Sequence, residues 1–255
     1  MKPYYQRKKA EKRFNVASKI EMEYIHLMRT LTSHIDHLIS ITVDKEMDHY
    51  ELQNAMHRID WLLSDYSEAI KPWARATAEK IVQRIHKVDE NEWVQLGRLM
   101  GRELRNELQN APTGNVVHLF LNEQVRLITS LPIEAAKRVH DLTLDGITEG
   151  KRASDIATRI LETGNVTKNR ATLIARTEVA RTASALTMAR ATHIGATHYY
   201  WRTSSDADVR KSHKKMNGKI IEWANPPKVD ENVEPYHAGM IWNCRCYAEP
   251  ILDDL

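Results

Sequence analysis

The sequence contains few of the residues that interrupt helices or cross-link secreted domains. Its 255 residues include 9 glycines, 8 prolines and 2 cysteines. Few strong breakers leave room for long helices. Cys244 and Cys246 are separated by a single residue, which excludes a disulfide framework and is typical of a chain made in a reducing cytoplasm. The length allows one large domain or two modest ones.

The chain also lacks long apolar runs and a strong charge of one sign. No stretch of about 18 apolar residues occurs, so we expect no membrane helix. The segment from Met1 to Tyr5 leads into charged residues, so we expect no secretory signal. The formal net charge of +3 is too small to indicate nucleic-acid binding by itself.

Positive charge is concentrated at the N-terminus. The first 20 residues carry seven lysines and arginines against one acid, Glu11. A basic arm of this kind binds DNA phosphates or an acidic partner surface, and the alternative is a solvated terminal segment. The candidate contact residues are Arg7, Lys8, Lys9, Lys12 and Arg13.

The pattern before residue 131 predicts helices. Apolar residues recur at the spacing of one helical face, and the predicted segments are about 20–39, 44–70, 72–108 and 116–130. Pro72 is predicted to break or kink the helical path. We therefore expect residues 1–130 to form a helical arm or bundle.

A second domain is predicted over residues 131–255. Pro132 in a first turn, followed by Glu134, predicts that a new helix begins at Leu131. Thr167 is predicted to cap a long alanine-rich helix. We expect helices over 131–193.

An α+β module is predicted over residues 196–252. Residues that are β-branched or aromatic predict strands at 196–203, 219–223 and 241–251, the last of them interrupted around Asn243. Asp206 or Asp208 is predicted to cap a short helix that ends near residue 216. The predicted fold class is mainly α, with a smaller α+β C-terminal module and a helical N-terminal region.

Two histidines and two cysteines lie in this module. Two imidazoles and two thiolates are a ligand set that structural zinc prefers, and the set is His213, His237, Cys244 and Cys246. On a strand, the two cysteines would leave the same face with Cα atoms about 6.5–7 Å apart, at the limit for a disulfide. The alternative is two thiols packed beneath Trp242, with histidines that form ordinary hydrogen bonds.

The sequence contains no complete catalytic motif. Ser-His-Asp, Walker and Rossmann patterns are absent, so we expect no enzyme. The alternative is an enzyme that acts on DNA or on a host target, with His213 and Glu178 as acid–base residues. Glu178 and Arg181 are also spaced to pair on a helix surface.

A series of short motifs follows in a fixed order. The series is Ala175-Arg176-Thr177-Glu178, Trp201-Arg202-Thr203-Ser204, Asp208-x-Arg210-x-x-His213, Asn217-Gly218-Lys219, His237-Ala238-Gly239, Asn243-Cys244-Arg245-Cys246 and Glu249-Pro250. This set, over about residues 130–252, resembles the Mu F-like minor head protein family, which acts in phage head morphogenesis. The motif positions that carry the resemblance are Arg176, Glu178, Trp201, Asp208, Arg210, His213, Gly218, Asn243 and Arg245.

The resemblance implies a structural protein of the virion. Such proteins associate with the portal inside the head, act in head assembly or in genome packaging and ejection, and in some cases bind DNA. The implied partners are the portal protein, the major capsid or scaffolding protein, and phage DNA, with no membrane. Some relatives carry a toxin or enzyme domain after this region, and we expect none here because the sequence ends at Leu255.

Overall fold

The structure is a computed structural model that describes residues 18–99 and 110–252. Helices fill most of this part, and the strands lie near its C-terminal end. In chain order the elements are α1 (Ser18–Ser40), α2 (His49–Ala69), α3 (Lys71–Leu99), α4 (Thr113–Thr148), α5 (Ala153–Glu162), α6 (Gly164–His193), β1 (His198–Arg202), α7 (Lys211–Met216), β2 (Ile220–Glu222) and β3 (Tyr247–Pro250). The predicted fold class, mainly α with a smaller α+β C-terminal module, is confirmed.

The first three helices form where the sequence predicts helices. The stripe predicted for α1 is buried at Ile20, Tyr24, Met28, Leu31, Ile35 and Ile39 and half-buried at Leu27 and Leu38. Asp48 begins α2 in a capping box with Glu51, which satisfies backbone donors of the first turn. Pro72 lies in the first turn of α3, so the predicted break is confirmed. The predicted continuation of this helix to residue 108 passes out of the described residues after Leu99.

The predicted helix start at Leu131 is wrong. Pro132 lies inside α4, which continues from Thr113 to Thr148. Proline removes one backbone hydrogen bond from a helix, but the burial of Ile128 and Ala135 on either side keeps the helix in place, since packing of one face supplies most helical stability.

The predicted cap at Thr167 is also wrong. Helix α6 begins at Gly164, directly after Thr163, which is the C-cap residue of α5. A Cβ atom at Gly164 would lie 2.6 Å from the Oδ2 atom of Asp36, so a larger residue where α6 begins would require the Asp36 side chain to move. Thr167 instead accepts a hydrogen bond of 2.6 Å from Nη2 of Arg138.

The strands form a three-stranded antiparallel sheet in the order β2-β1-β3. Tyr199 and Trp201 on the central strand are buried, as alternation along a half-covered strand requires. The predicted strands at 196–203 and 219–223 are confirmed in shorter form. In the predicted strand at 241–251, the interruption around Asn243 is confirmed by its left-handed φ of 54°, and the strand itself is shorter than predicted because β3 begins only at Tyr247.

The described residues form two compact units. The first takes in the described parts of 1–22, 79–121 and 176–255, and the second takes in 23–78 and 122–175. The predicted domain boundary between residues 130 and 131 stays a prediction. None of the described helices combines the length and the apolar composition needed to cross a membrane.

A buried ion pair links α3 to α6 within the first unit. The side chains of Asp89 and Arg190 are 3% and 2% exposed, and Nη1 of Arg190 donates to the carboxylate. Thr187 donates to Asp89 Oδ1 over 2.6 Å, and Nη2 of Arg190 donates to Nε2 of His86 over 3.1 Å. Burial outweighs these partners and raises the pKa of Asp89 to about 6.

Candidate functional site

Helix α7 and the segment before β3 bring the two cysteines and one histidine together. His213 and Met216 form the buried face of the short helix α7, and this face places the imidazole inside the module. Cys244 and Cys246 lie in the irregular segment before β3, and both are buried. The core around them is aromatic, with the ring of Trp201 at 5.7 Å from that of His213 in an edge-on arrangement.

The atoms that could bind a metal lie close together. Nδ1 of His213 is 3.5 Å from Sγ of Cys244 and 3.4 Å from Sγ of Cys246. The three ligand atoms all lie within 4.8 Å of one another. We call these three residues the His/Cys cluster.

The other ring nitrogen of His213 begins a chain of hydrogen bonds. Its Nε2 atom is 2.9 Å from the hydroxyl of Tyr236, and that hydroxyl donates to Oδ2 of Asp230 over 2.6 Å. This bond from Tyr236 lowers the pKa of Asp230, so its carboxylate is ionised and only accepts. The tyrosine has a single proton, which it gives to Asp230. Nε2 of His213 must therefore carry the hydrogen and donate it to Tyr236.

The two thiols lose their protons as a pair. The hydrogen bond between the two sulfur atoms lowers the pKa of Cys244. The same bond between the two sulfur atoms, together with burial, raises the pKa of Cys246. Coupled groups of this kind share their titration steps, so one proton leaves readily and the second is retained.

Two donors near the thiols lack a conventional partner. Nε1 of Trp201 and Nη1 of Arg210 are buried and form no hydrogen bond with any described residue. Both groups nevertheless act on Cys246, because the indole N–H and the guanidinium charge each lower the pKa of its thiol. These donors favour negative charge on the sulfur atoms.

The structure places His237 apart from the His/Cys cluster. Its Nδ1 atom lies 3.1 Å from the hydroxyl of Tyr199, and its ring packs against Trp223 with centroids 5.5 Å apart. Burial lowers the pKa of His237, which keeps the imidazole neutral. Of the four predicted metal ligands, the structure brings together the other three.

A seam of polar contacts joins α6 to the segment that carries the cysteines. Nη1 of Arg176 donates to Oδ1 of Asn243 over 3.0 Å, and Nε donates to Oε1 of Glu21 over 2.8 Å. The backbone N–H of Asn243 donates to the hydroxyl of Thr177 over 2.9 Å. Asparagine tolerates the left-handed conformation found at position 243, so the side chain and the backbone of one residue both hold the turn.

A second contact of this seam lies at Gly239. This glycine has a φ of +82°, and an added Cβ would lie 2.8 Å from the carbonyl oxygen of Cys246 and 3.3 Å from Cβ of Ser184. Ser184 on α6 donates to the carbonyl of Ala238 over 2.6 Å. The loop before Cys244 is thus pressed against α6, and a side chain at Gly239 would separate them.

The remaining motif residues form hydrogen bonds and ion pairs with other residues of the family region. Gly218 donates its N–H to the carbonyl of Trp201 over 2.7 Å, which joins the end of α7 to β1. Nη2 of Arg210 donates to the carbonyl of Trp242 over 2.9 Å. Glu178 accepts from Arg181 over 2.9 Å, but the side chain of Glu178 is only 2% exposed, so the prediction of a surface pair is wrong.

The predicted cap of α7 is also wrong. Arg210 is the N-cap residue and forms no side-chain cap bond. Asp206 and Asp208 instead pair with Arg245 at 3.2 and 3.3 Å. The two aspartates therefore hold the residue between the cysteines.

Sequence reasoning missed the second layer of the cluster. Tyr236, Asp230 and Tyr199 orient the two histidines, yet only Tyr236 had a signal, since it directly precedes His237. The basic residues proposed to bind DNA or a partner, from Arg7 to Arg13, lie outside the described residues.

Comparison with known proteins places this region in a family. Residues 137–249 match the family described as Phage Mu protein F like protein. An uncharacterized protein of Haemophilus influenzae is 33% identical over 155 residues, which cover 60% of this chain and 34% of that protein. The chain thus spans about a third of the length of this curated relative. No solved structure matches significantly. The resemblance predicted from the ordered motifs is confirmed by this match of residues 137–249 to the phage Mu F-like family.

Proposed function

We propose that this protein is a minor head protein of a phage, bound to the portal inside the head. It would act in head assembly and, through the portal, in genome packaging or ejection. The family match supports a head morphogenesis role. Contacts with the major capsid or scaffolding protein and with phage DNA belong to the same proposal.

The observation that carries the proposal is the inward use of the polar motif residues. His213 bonds to Tyr236 and lies against the thiols, Glu178 accepts from Arg181, and Arg176 holds Asn243. A catalytic acid or base must reach the atom whose proton it moves. Residues that are buried and bonded to each other instead stabilise a fold, so a structural role is favoured over the enzyme with His213 and Glu178 as its acid–base residues.

A candidate contact surface lies on α2. Tyr50 and Trp61 are 72% and 67% exposed, and their spacing of 11 residues is about three helical turns, so they share a face. Exposed aromatic side chains supply much of the binding energy in protein interfaces. We assign this face to the contact with the portal.

The proposal is tested by co-expression with the portal protein of the same genome, followed by size-exclusion chromatography with light scattering. We expect a stable complex. The variant Trp61→Ala should weaken it about 30-fold, the effect of losing about 2 kcal/mol at a central aromatic. The matched control is Trp242→Ala, since Trp242 is a similarly exposed tryptophan at 56% that belongs to the other compact unit.

Two results would contradict parts of this proposal. Elution of the two proteins as independent species at micromolar concentration would refute the portal contact. A complex that is weakened by Trp242→Ala and unaffected by Trp61→Ala would refute the assignment to α2 and would place the contact on the family region.

A further inference from the structure

We propose that the His/Cys cluster binds a zinc ion through Nδ1 of His213 and the Sγ atoms of Cys244 and Cys246. This site goes beyond the proposed role at the portal and does not depend on it. Imidazole nitrogen and thiolate sulfur are the ligands that zinc prefers in proteins. Such an ion would link α7 to the segment before β3.

The distances in the cluster fit a tetrahedral ion. Zinc lies about 2.0–2.1 Å from nitrogen and about 2.3 Å from sulfur. At tetrahedral angles these lengths separate a nitrogen ligand from a sulfur ligand by about 3.6 Å. The two nitrogen–sulfur distances from His213 are 3.5 and 3.4 Å, so an ion would enter without a large movement of the side chains.

The direction of the protons also favours a metal. Since Nε2 of His213 donates to Tyr236, a neutral imidazole has a bare lone pair on Nδ1, directed at the sulfur atoms. A cation between the three atoms satisfies the lone pair and both sulfur atoms together.

The surroundings match the second layer of a zinc site. A metal-bound histidine usually donates its other N–H to a polar group that fixes the ring, and the pair of Tyr236 and Asp230 does so here. Two thiolates would neutralise the doubly charged ion, and their protons would leave to solvent on binding.

The proposed site uses three protein ligands. His237 is not included, because its Nδ1 atom already bonds to Tyr199. The fourth position is assigned to a water molecule or to a small ligand from solution. A zinc ion with three protein ligands and one exchangeable ligand is a stable arrangement in proteins.

The first test measures metal on the full chain, purified under reducing conditions without chelator. Mass spectrometry of the metal content should give a single zinc per chain, and a chelator should release it. The variants His213→Ala, Cys244→Ser and Cys246→Ser should each lose at least about tenfold in zinc affinity. The control variant His237→Gln, which changes a buried histidine outside the cluster, should retain wild-type zinc.

The second test needs no variant to fold. Cobalt(II) added to metal-depleted wild-type protein should give the strong near-ultraviolet band of thiolate-to-cobalt charge transfer and the visible spectrum of tetrahedral coordination. Binding to surface histidines gives neither the thiolate band nor a tetrahedral spectrum, so the result identifies the sulfur ligands. Wild-type protein that contains no zinc and shows no thiolate band with cobalt would overturn the proposal. A disulfide between Cys244 and Cys246 in protein purified with reductant would also overturn it.

Discussion

The buried ion pair of Asp89 and Arg190 allows a quantitative prediction of stability. Arg190 lies on α6, the helix that carries the first family motif. The variant Arg190→Met removes the guanidinium and keeps a long apolar side chain in its place. Asp89 is then left as a buried carboxylate at 3% exposure, to which Thr187 still donates. Breaking a buried ion pair by removing one partner costs about 3–5 kcal/mol.

This cost should be visible in thermal and urea unfolding at pH 7. For a protein of this size, 1 kcal/mol corresponds to about 2–4 °C, so the melting temperature should fall by about 6–20 °C. The double variant Asp89→Leu with Arg190→Met removes both charges, and apolar replacement of a buried pair is often neutral or stabilising. We therefore expect the double variant to recover most of the stability that the single variant loses.

The pH dependence gives an independent check. The folded-state pKa of Asp89, about 6, lies above the reference value of 3.8. The proton on Asp89 therefore stabilises the fold below about pH 4, and this stabilisation is lost as the pH rises through 6. Without Arg190 the pKa rises further, so the deficit of Arg190→Met should be largest near neutral pH and should shrink on acidification. A deficit below about 1 kcal/mol at pH 7, or a double variant as unstable as the single, would refute this reasoning.

Three further predictions concern the family region. The variant Gly239→Ala should lower the free energy of unfolding by more than about 1 kcal/mol, because φ is positive at this position and the added Cβ would meet the carbonyl of Cys246. The control variant Gly114→Ala in α4, where nothing lies within 4 Å of an added Cβ, should not destabilise the protein. Equal effects of the two variants in urea unfolding would contradict the close packing of the loop at Gly239. The variant Tyr236→Phe should reduce zinc affinity about 10–100-fold in chelator competition, since it removes the hydroxyl that fixes the cluster's histidine; an unchanged affinity would exclude that role. The variant Cys244→Ser should lower the melting temperature of protein that contains zinc, and an unchanged melt would argue against a stabilising cluster.

Much of the helical architecture follows from the sequence because apolar spacing is a local signal. Six of the eight residues in the predicted stripe from Ile20 to Ile39 are buried, and the break near Pro72 is where the ring of proline requires it. Local rules failed where packing decided the outcome. Pro132 is an acceptable first-turn residue, but the burial of Ile128 and its neighbours carries the helix through it.

The site shows the same division between local and long-range information. Residue types in the motifs were enough to group His213 with Cys244 and Cys246, which the structure brings within 4.8 Å. The placement of the two cysteines on a strand was wrong, because β3 begins only at Tyr247, after both of them. The separate position of His237 depends on its bond to a tyrosine 38 residues earlier in the chain, and no spacing rule reports such a contact.

Contacts from several family motifs hold the segment before β3 in place. The sheet has strands of 5, 3 and 4 residues, and sheets this short need further support to be stable. Between β2 and β3 the chain runs through a long segment without regular structure. Arg176 holds its far end at Asn243, Gly239 presses it on α6, and Arg245 ties it to the acidic loop before α7. Each of these contacts joins residues that are far apart in the chain and so closes a long loop. A metal bound by Cys244 and Cys246 would close one more loop and would stabilise the module, because small modules gain much of their stability from such cross-links.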